Sequence, residues 1–172
     1  MTTNDNDNVI VEVDETYTFT ISEKTIPDYR MNSGILAWIK ENMENLVDDD
    51  NHAIFGKVNT GFNESTLKSF GKKPVCDVYI NNVEYTNDFD NNYPLAVNTI
   101  ILFHLKGSNN ITYDKACQLH DYVMQEFIEN ESFKSLNGVV RNTCITNSEI
   151  RNQPINKKWG VIVAFELKHD LY

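Results

Sequence analysis

Residues 111–136 read ITYDKACQLHDYVMQEFIENESFKSL, and the fold is decided there. Ala116, Leu119, Val123 and Phe127 recur at steps of three and four, with Tyr122 and Met124 flanking. That spacing sets one apolar stripe along an amphipathic helix, so one face must be buried. Thr112 is the expected N-cap, Asp114 places a negative charge in the first turn, and Asn137-Gly138 offers a left-handed stop. The run before it, residues 98–106 (NTIILFHLK), has four apolar residues in a row and reads as a central strand covered on both faces. After it, residues 138–146 and 159–169 are strand-like, and the last alternates Trp159, Val161, Val163, Phe165 and Leu167 against Gly160, Ile162, Ala164, Glu166 and Lys168. A helix between strands is thus the centre of the design.

Working outward, residues 147–158 (TNSEIRNQPINK) read as an exposed hairpin loop. Residues 75–87 are a strand with a hairpin or bulge near Asn81-Asn82, and residues 52–60 are a short strand. Ser33 is the expected cap of an earlier helix over residues 34–47, in which Ile35, Ile39, Met43 and Leu46 share a face. Residues 22–32, with Pro27, read as a connector. Residues 9–21 alternate with period two, with Val9, Val11, Val13, Glu15, Tyr17, Phe19 and Ile21 on one side, which reads as an extended strand with one dry face. Its partner is either this domain's own sheet or that of a neighbouring subunit. The expected organisation is an N-terminal arm, residues 1–30, and a single domain, residues 31–172. Its fold class is α+β: a mainly antiparallel sheet with two helices packed on one face.

Composition narrows the function. With 25 acidic against 15 basic residues the formal charge is -10, which argues against gripping nucleic acid by its phosphates. The start, MTTNDNDN, is polar and acidic, and no apolar run approaches a membrane span, so a cytoplasmic protein without membrane contact is expected. Cys76, Cys117 and Cys144 have no metal-ligand spacing and read as core filler. Asp48-Asp49-Asp50 lacks the Gly and Glu offsets of a calcium loop and reads as a solvated turn. No phosphate-binding loop, nucleophile elbow or zinc-protease motif is present. His52, His104, His120 and His169 are scattered, one per element, with His104 placed to face a carboxylate. His120 and Asp121 should point apart on their helix, whereas Asp77 and Glu84 are a pair that a hairpin would bring together. No catalytic residue, cofactor or metal is expected, and the chain reads as a non-enzyme.

The order of elements adds what the chemistry does not. An early helix, GILAWIKENMENL, strands and a long loop, the IILFHLK strand, the helix YDKACQLHDYVMQEFI and a closing hairpin ending WGVIVAFELKH follow one another over residues 31–170. This resembles the tail terminator and tail-completion proteins of tailed bacteriophages. The resemblance implies a structural virion protein, assembled in the host cytoplasm, that forms a homo-oligomeric, hexameric ring at the head-proximal end of the tail tube. Such a ring ends tail polymerisation and joins the tail to the neck. Its partners would be other copies of itself, the tail tube protein and a neck or head-completion protein, with DNA passing through the channel unbound. The alternatives are a neck or head-closure connector of the same machinery and, from another class, a small α+β enzyme or ligand-binding domain. Within that reading, residues 61–74 are the tube-docking loop, in which Phe62, Leu67 and Phe70 supply apolar anchors and Lys68, Lys72 and Lys73 meet acidic groups. A self-packed hairpin is the competing account of the same stretch. Asp48, Asp49, Asp50, Asp88 and Asp90 are candidates to face the channel.

Overall fold

The structure is a computed structural model that describes residues 27–61, 72–86, 94–107, 109–155 and 158–172. The expected strand at residues 9–21 therefore lies outside the described residues. Helix α1 (Pro27–Asn45) is followed by β1 (Lys57–Thr60), β2 (Val75–Tyr85) and β3 (Pro94–Lys106). Then come α2 (Asn110–Glu129), the short α3 (Glu131–Ser135) with a 3-10 turn at Leu136–Gly138, β4 (Asn142–Ile155) and β5 (Lys158–Asp170). The strands form one sheet in the order β1-β2-β3-β5-β4.

The class is α+β as expected, but two details differ. The sheet is mixed, because β1 pairs parallel to β2 while every other neighbour is antiparallel. Among the described residues the helices number three rather than two, because Asn130 leaves helical geometry, ends α2 and caps α3 through its side chain. A parallel neighbour needs a crossover of about a dozen residues or more, and residues 61–74 supply it. The length of that segment follows from topology and so is no longer an argument for docking.

The core forms where helices meet one face of the sheet. Ile35, Ile39 and Met43 of α1 and Ala116, Leu119, Val123 and Phe127 of α2 pack on Cys76 and Val78 of β2, Ile101 and Phe103 of β3, and Val163 and Phe165 of β5. The expected stripe of α2 is the buried one. Its cap is different: the side chain of Asn109, not Thr112, accepts from the Thr112 N–H at 2.9 Å and hydroxyl at 2.8 Å. Helix α2 thus begins at Asn110, and Asp114 falls beyond its first turn, which holds no acidic residue. Gly107 sets up this entry with φ +117, and a Cβ there would come 2.7 Å from the Thr112 Oγ1. The stop at Asn137-Gly138 is left-handed as expected, at φ 55 and 89, and Leu136 joins it at φ 46.

Other boundaries move. Helix α1 starts at Pro27, six residues before Ser33, because proline is tolerated at a first helical position where no N–H partner is needed. Residues 147–155, read as loop, continue β4 against β5 in register as far as Ile155 and Lys158. Pro154 is compatible with that because β4 is an edge strand. The bulge near Asn81-Asn82 is present, as a register shift between Ile80 and Asn82. Strand β3 is central, with Ile101, Phe103 and Leu105 buried on its helix side; on its other face His104 is buried while Ile100 and Leu102 are half-buried.

Polar side chains tie the strands together at points the core does not reach. His169 of β5 lies fully buried between Thr99 of β3, 2.8 Å from Nε2, and Thr143 of β4, 2.9 Å from Nδ1. One ring nitrogen donates and the other accepts, so the pair of threonines fits a neutral imidazole. On the opposite face Lys168 Nζ donates to Glu84 at 2.6 Å and Asn98 Nδ2 donates to the same carboxylate at 2.8 Å, linking β2, β3 and β5. The hydrogen bond from Lys168 lowers the Glu84 carboxyl, and the same bond raises the lysine.

Burial pushes His169 down from 6.5 to about 4. Between those values the unfolded chain binds the proton and the folded chain does not, so stability is complete above pH 6.5 and falls as the pH drops towards 4. The expected loss is about 3.5 kcal/mol once the pH is below both values, from about 1.4 kcal/mol for each pH unit between them. Urea unfolding of His169→Gln, whose amide can serve both threonines, should show a flatter pH dependence across that window. Parallel slopes for the two proteins would contradict the assignment.

Candidate functional site

A groove of about 620 Å³ opens where the end of α1, the approach to β2 and the start of α2 meet. Its floor is apolar, with Ile54, Leu105, Leu119 and Tyr122, and four lysines stand around it: Lys72, Lys73, Lys106 and Lys115. The chain has only 15 Lys and Arg in all, so more than a quarter of its positive charge converges on one groove of an acidic protein. Lys73 Nζ is held by the Ala53 carbonyl at 2.7 Å. Lys72, Lys106 and Lys115 form no ion pair among the described residues, although Asp48 and Asp49 stand on the rim. An apolar floor ringed by cations is suited to an acidic segment that also carries apolar side chains.

Each local sequence places its part for a physical reason. Asp48 Oδ1 accepts from the N–H groups of Asp50 and His52, at 3.1 and 2.8 Å, and Asn51 adopts φ 62, which closes a tight exposed turn after α1. The aspartate run is a solvated turn, as its composition implied. Lys106 ends β3, and the Gly107 bend with the Asn109 cap carries the chain directly into α2, whose groove-facing side presents Lys115 and Tyr122.

Of the expected docking residues, Lys72 and Lys73 are at this groove, while Phe62, Leu67, Lys68 and Phe70 lie outside the described residues. Of the expected channel aspartates, Asp48 and Asp49 line the groove rim, Asp50 is exposed in the turn, and Asp88 and Asp90 lie outside the described residues. The contributions of Lys106 and Lys115 were missed by sequence reasoning. They come from separate elements, and only their proximity to the α2 start hints at a cluster.

Two histidine arrangements stand apart from the groove. His104 faces a carboxylate as expected: its Nε2 is 3.2 Å from Asp77 Oδ2, and Asn59 Nδ2 donates to Asp77 Oδ1 at 2.7 Å. All three are buried, and they join β1, β2 and β3 on the face away from the helices. Asp77 and Glu84 do not converge, since each serves a different set of partners. His120 and Asp121 do meet, contrary to expectation, with Nδ1 3.1 Å from Asp121 Oδ1. The helix aims their Cα–Cβ bonds apart, but the two side chains curve back to each other. The other nitrogen, Nε2, lies 3.0 Å from Ser148 Oγ.

Asp121, His120 and Ser148 have the hydrogen-bond order of a nucleophilic triad, yet their setting is structural. The His120 ring is stacked on Phe165 with centroids 5.1 Å apart, Asp121 is 83% exposed, and none of the three lines the groove. His120 therefore pins α2 to β4 and β5. Among the described residues no group of acidic, Cys or His side chains is arranged to hold a metal, and no helix is long and apolar enough to cross a membrane. Comparison with known protein families gives no match, and no curated protein matches the chain in sequence.

Replacing His120→Ala should lower stability by about 2 kcal/mol, the sum of a stacked aromatic contact and one hydrogen bond. Urea denaturation measures it, and an unchanged midpoint would show that the contact contributes nothing to holding the helix.

Proposed function

We propose that the chain is a structural virion protein of a tailed bacteriophage. Its copies form a ring, six to a turn, that closes the head-proximal end of the tail tube, stops its growth and joins it to the neck. The observation that carries this reading is the lysine-ringed groove on an otherwise acidic chain. A protein that lets DNA pass benefits from a net negative charge, because phosphates are then repelled from its surface. The same protein needs a local reversal of sign wherever it must hold an acidic partner, and the groove supplies one beside an apolar floor. In this reading the tail tube protein presents the acidic segment, and Lys72, Lys106 and Lys115 meet it.

Both ends of the sheet support the same assignment. Strand β1 is four residues long and β4 fourteen, and among the described residues each has only one neighbour in the sheet. Open edges of this kind are used for joining subunits or must be protected from doing so.

The test uses Lys72→Glu, Lys106→Glu and Lys115→Glu together, all surface changes that leave the core intact. Melting should stay within a few degrees of the parent, while capping fails and tubes grown with the variant run several-fold longer than normal. Tubes of normal length made by a stable, charge-reversed protein would contradict the groove as the tube contact.

A further inference from the structure

Resting on the ring reading above, we propose that the outer edge of β4 receives residues 9–21 of a second copy as a sixth strand, beneath an apolar flank of α2. Among the described residues β4 is last in the sheet and pairs only with β5, so the backbone groups on its other side face away from the sheet. A bulge between Ile145 and Asn147 and the proline at 154 bracket a regular run, residues 147–153, that is suited to antiparallel or parallel extension.

The flank above this edge is the second observation. His120 marks the side of α2 that faces β4, because it reaches Ser148. With about 100° of turn per residue, Tyr113, Cys117, Met124 and Ile128 fall on the same side of the buried stripe as His120, whereas Ile111, Lys115 and Tyr122 fall on the groove side. Ile128 is 61% exposed and Tyr113 39%, while Met124 is half-buried against the core. On the strand below, Ile145 and Ile150 are likewise half-buried. Among the described residues the core therefore continues past β4 as an uncovered apolar step.

Residues 9–21 match that step in kind. Drawn out as a strand, residues 9–21 would place Val9, Val11, Val13, Tyr17, Phe19 and Ile21, with Glu15 among them, on one face, and Ile10, Glu12, Asp14, Thr16, Thr18 and Thr20 on the other. Added beside β4 with the apolar face towards the helices, this segment buries its own dry side and the Tyr113–Ile128 flank together, and its acidic side joins Glu149 and Arg151 on the opposite face. Backbone hydrogen bonds give affinity and the alternate side chains fix the register. Each copy gives one arm and accepts one, which is a head-to-tail contact that closes into a ring.

The experiment uses the full chain, with a photoreactive benzophenone side chain in place of Phe19, prepared as an equal mixture of light and heavy-nitrogen copies. Cross-links should join the arm of one isotope to β4 or the Ile128 end of α2 of the other. Ile128→Glu, an exposed position, should weaken ring assembly by about tenfold or more while leaving unfolding unchanged. Cross-links confined to one isotope would show that the arm folds back on its own sheet and would overturn the exchange. Rings without links to β4 would also overturn it while leaving the ring reading intact, and a chain that forms no ring at all would overturn both.

Discussion

The fold depends on one packing contact: the stripe Ala116, Leu119, Val123 and Phe127 of α2 against the helix-facing row of β3 and β5, with Phe103 and Phe165 at its centre. Those two rings sit with centroids 5.6 Å apart, and Phe103 also meets Phe55 at 4.8 Å. Helix α1 then has a place to lie beside α2, and α3 folds over so that Phe133 touches both Phe127 and Trp38 of α1. Burial on this scale is worth about 1.5–3 kcal/mol for each large side chain, and an uncompensated charge on the stripe loses that and adds its own desolvation cost, which takes away much of the net stability of a domain this size. The position of α2 also sets two surfaces, because one flank forms the lysine groove and the other faces β4.

Around that apolar contact, buried polar side chains hydrogen-bond across neighbouring strands and hold the sheet in register. The Thr99–His169–Thr143 line joins β3, β5 and β4, and the Asn59–Asp77–His104 cluster joins β1, β2 and β3. Buried polar groups of this kind add little net stability when satisfied and are costly when broken, so they specify which strands are neighbours. The short parallel strand β1 has few ladder bonds of its own, and Asn59 is its side-chain tie to β2.

How far the sequence carried this picture follows from the kind of signal each element has. The α2 stripe and the alternation of β5 were legible because they are long and regular, and the α1 core residues Ile35, Ile39, Met43 and Leu46 are all buried as their spacing implied. The start of α1 was not, since Pro27 looks like a breaker until the helix is seen to begin on it. Residues 147–155 looked like loop because an edge strand needs few apolar residues, and the stretch supplies mainly Asn, Ser and charged groups. Asn109 and Thr112 are both good caps, and the bend at Gly107 decides between them. The groove was half legible: Lys72 and Lys73 were singled out by their setting in a punctuated loop, but Lys106 and Lys115 join them only through the tertiary fold. Parallel pairing of β1 and β2 left no trace in local pattern, because it is a property of the crossover.

In the proposed function an acidic, ring-forming protein meets a tube through one reversed patch of charge and its own copies through sheet edges. The central claim is a location. Electron microscopy of virus particles carrying a gold-labelled tag on the C-terminal Tyr172 tests it most directly. The label should appear as a single cluster where tail meets head, at no other point along the tail. Particles without label, or label spread along the tube or over the head, would contradict the assignment of this chain to the tail end.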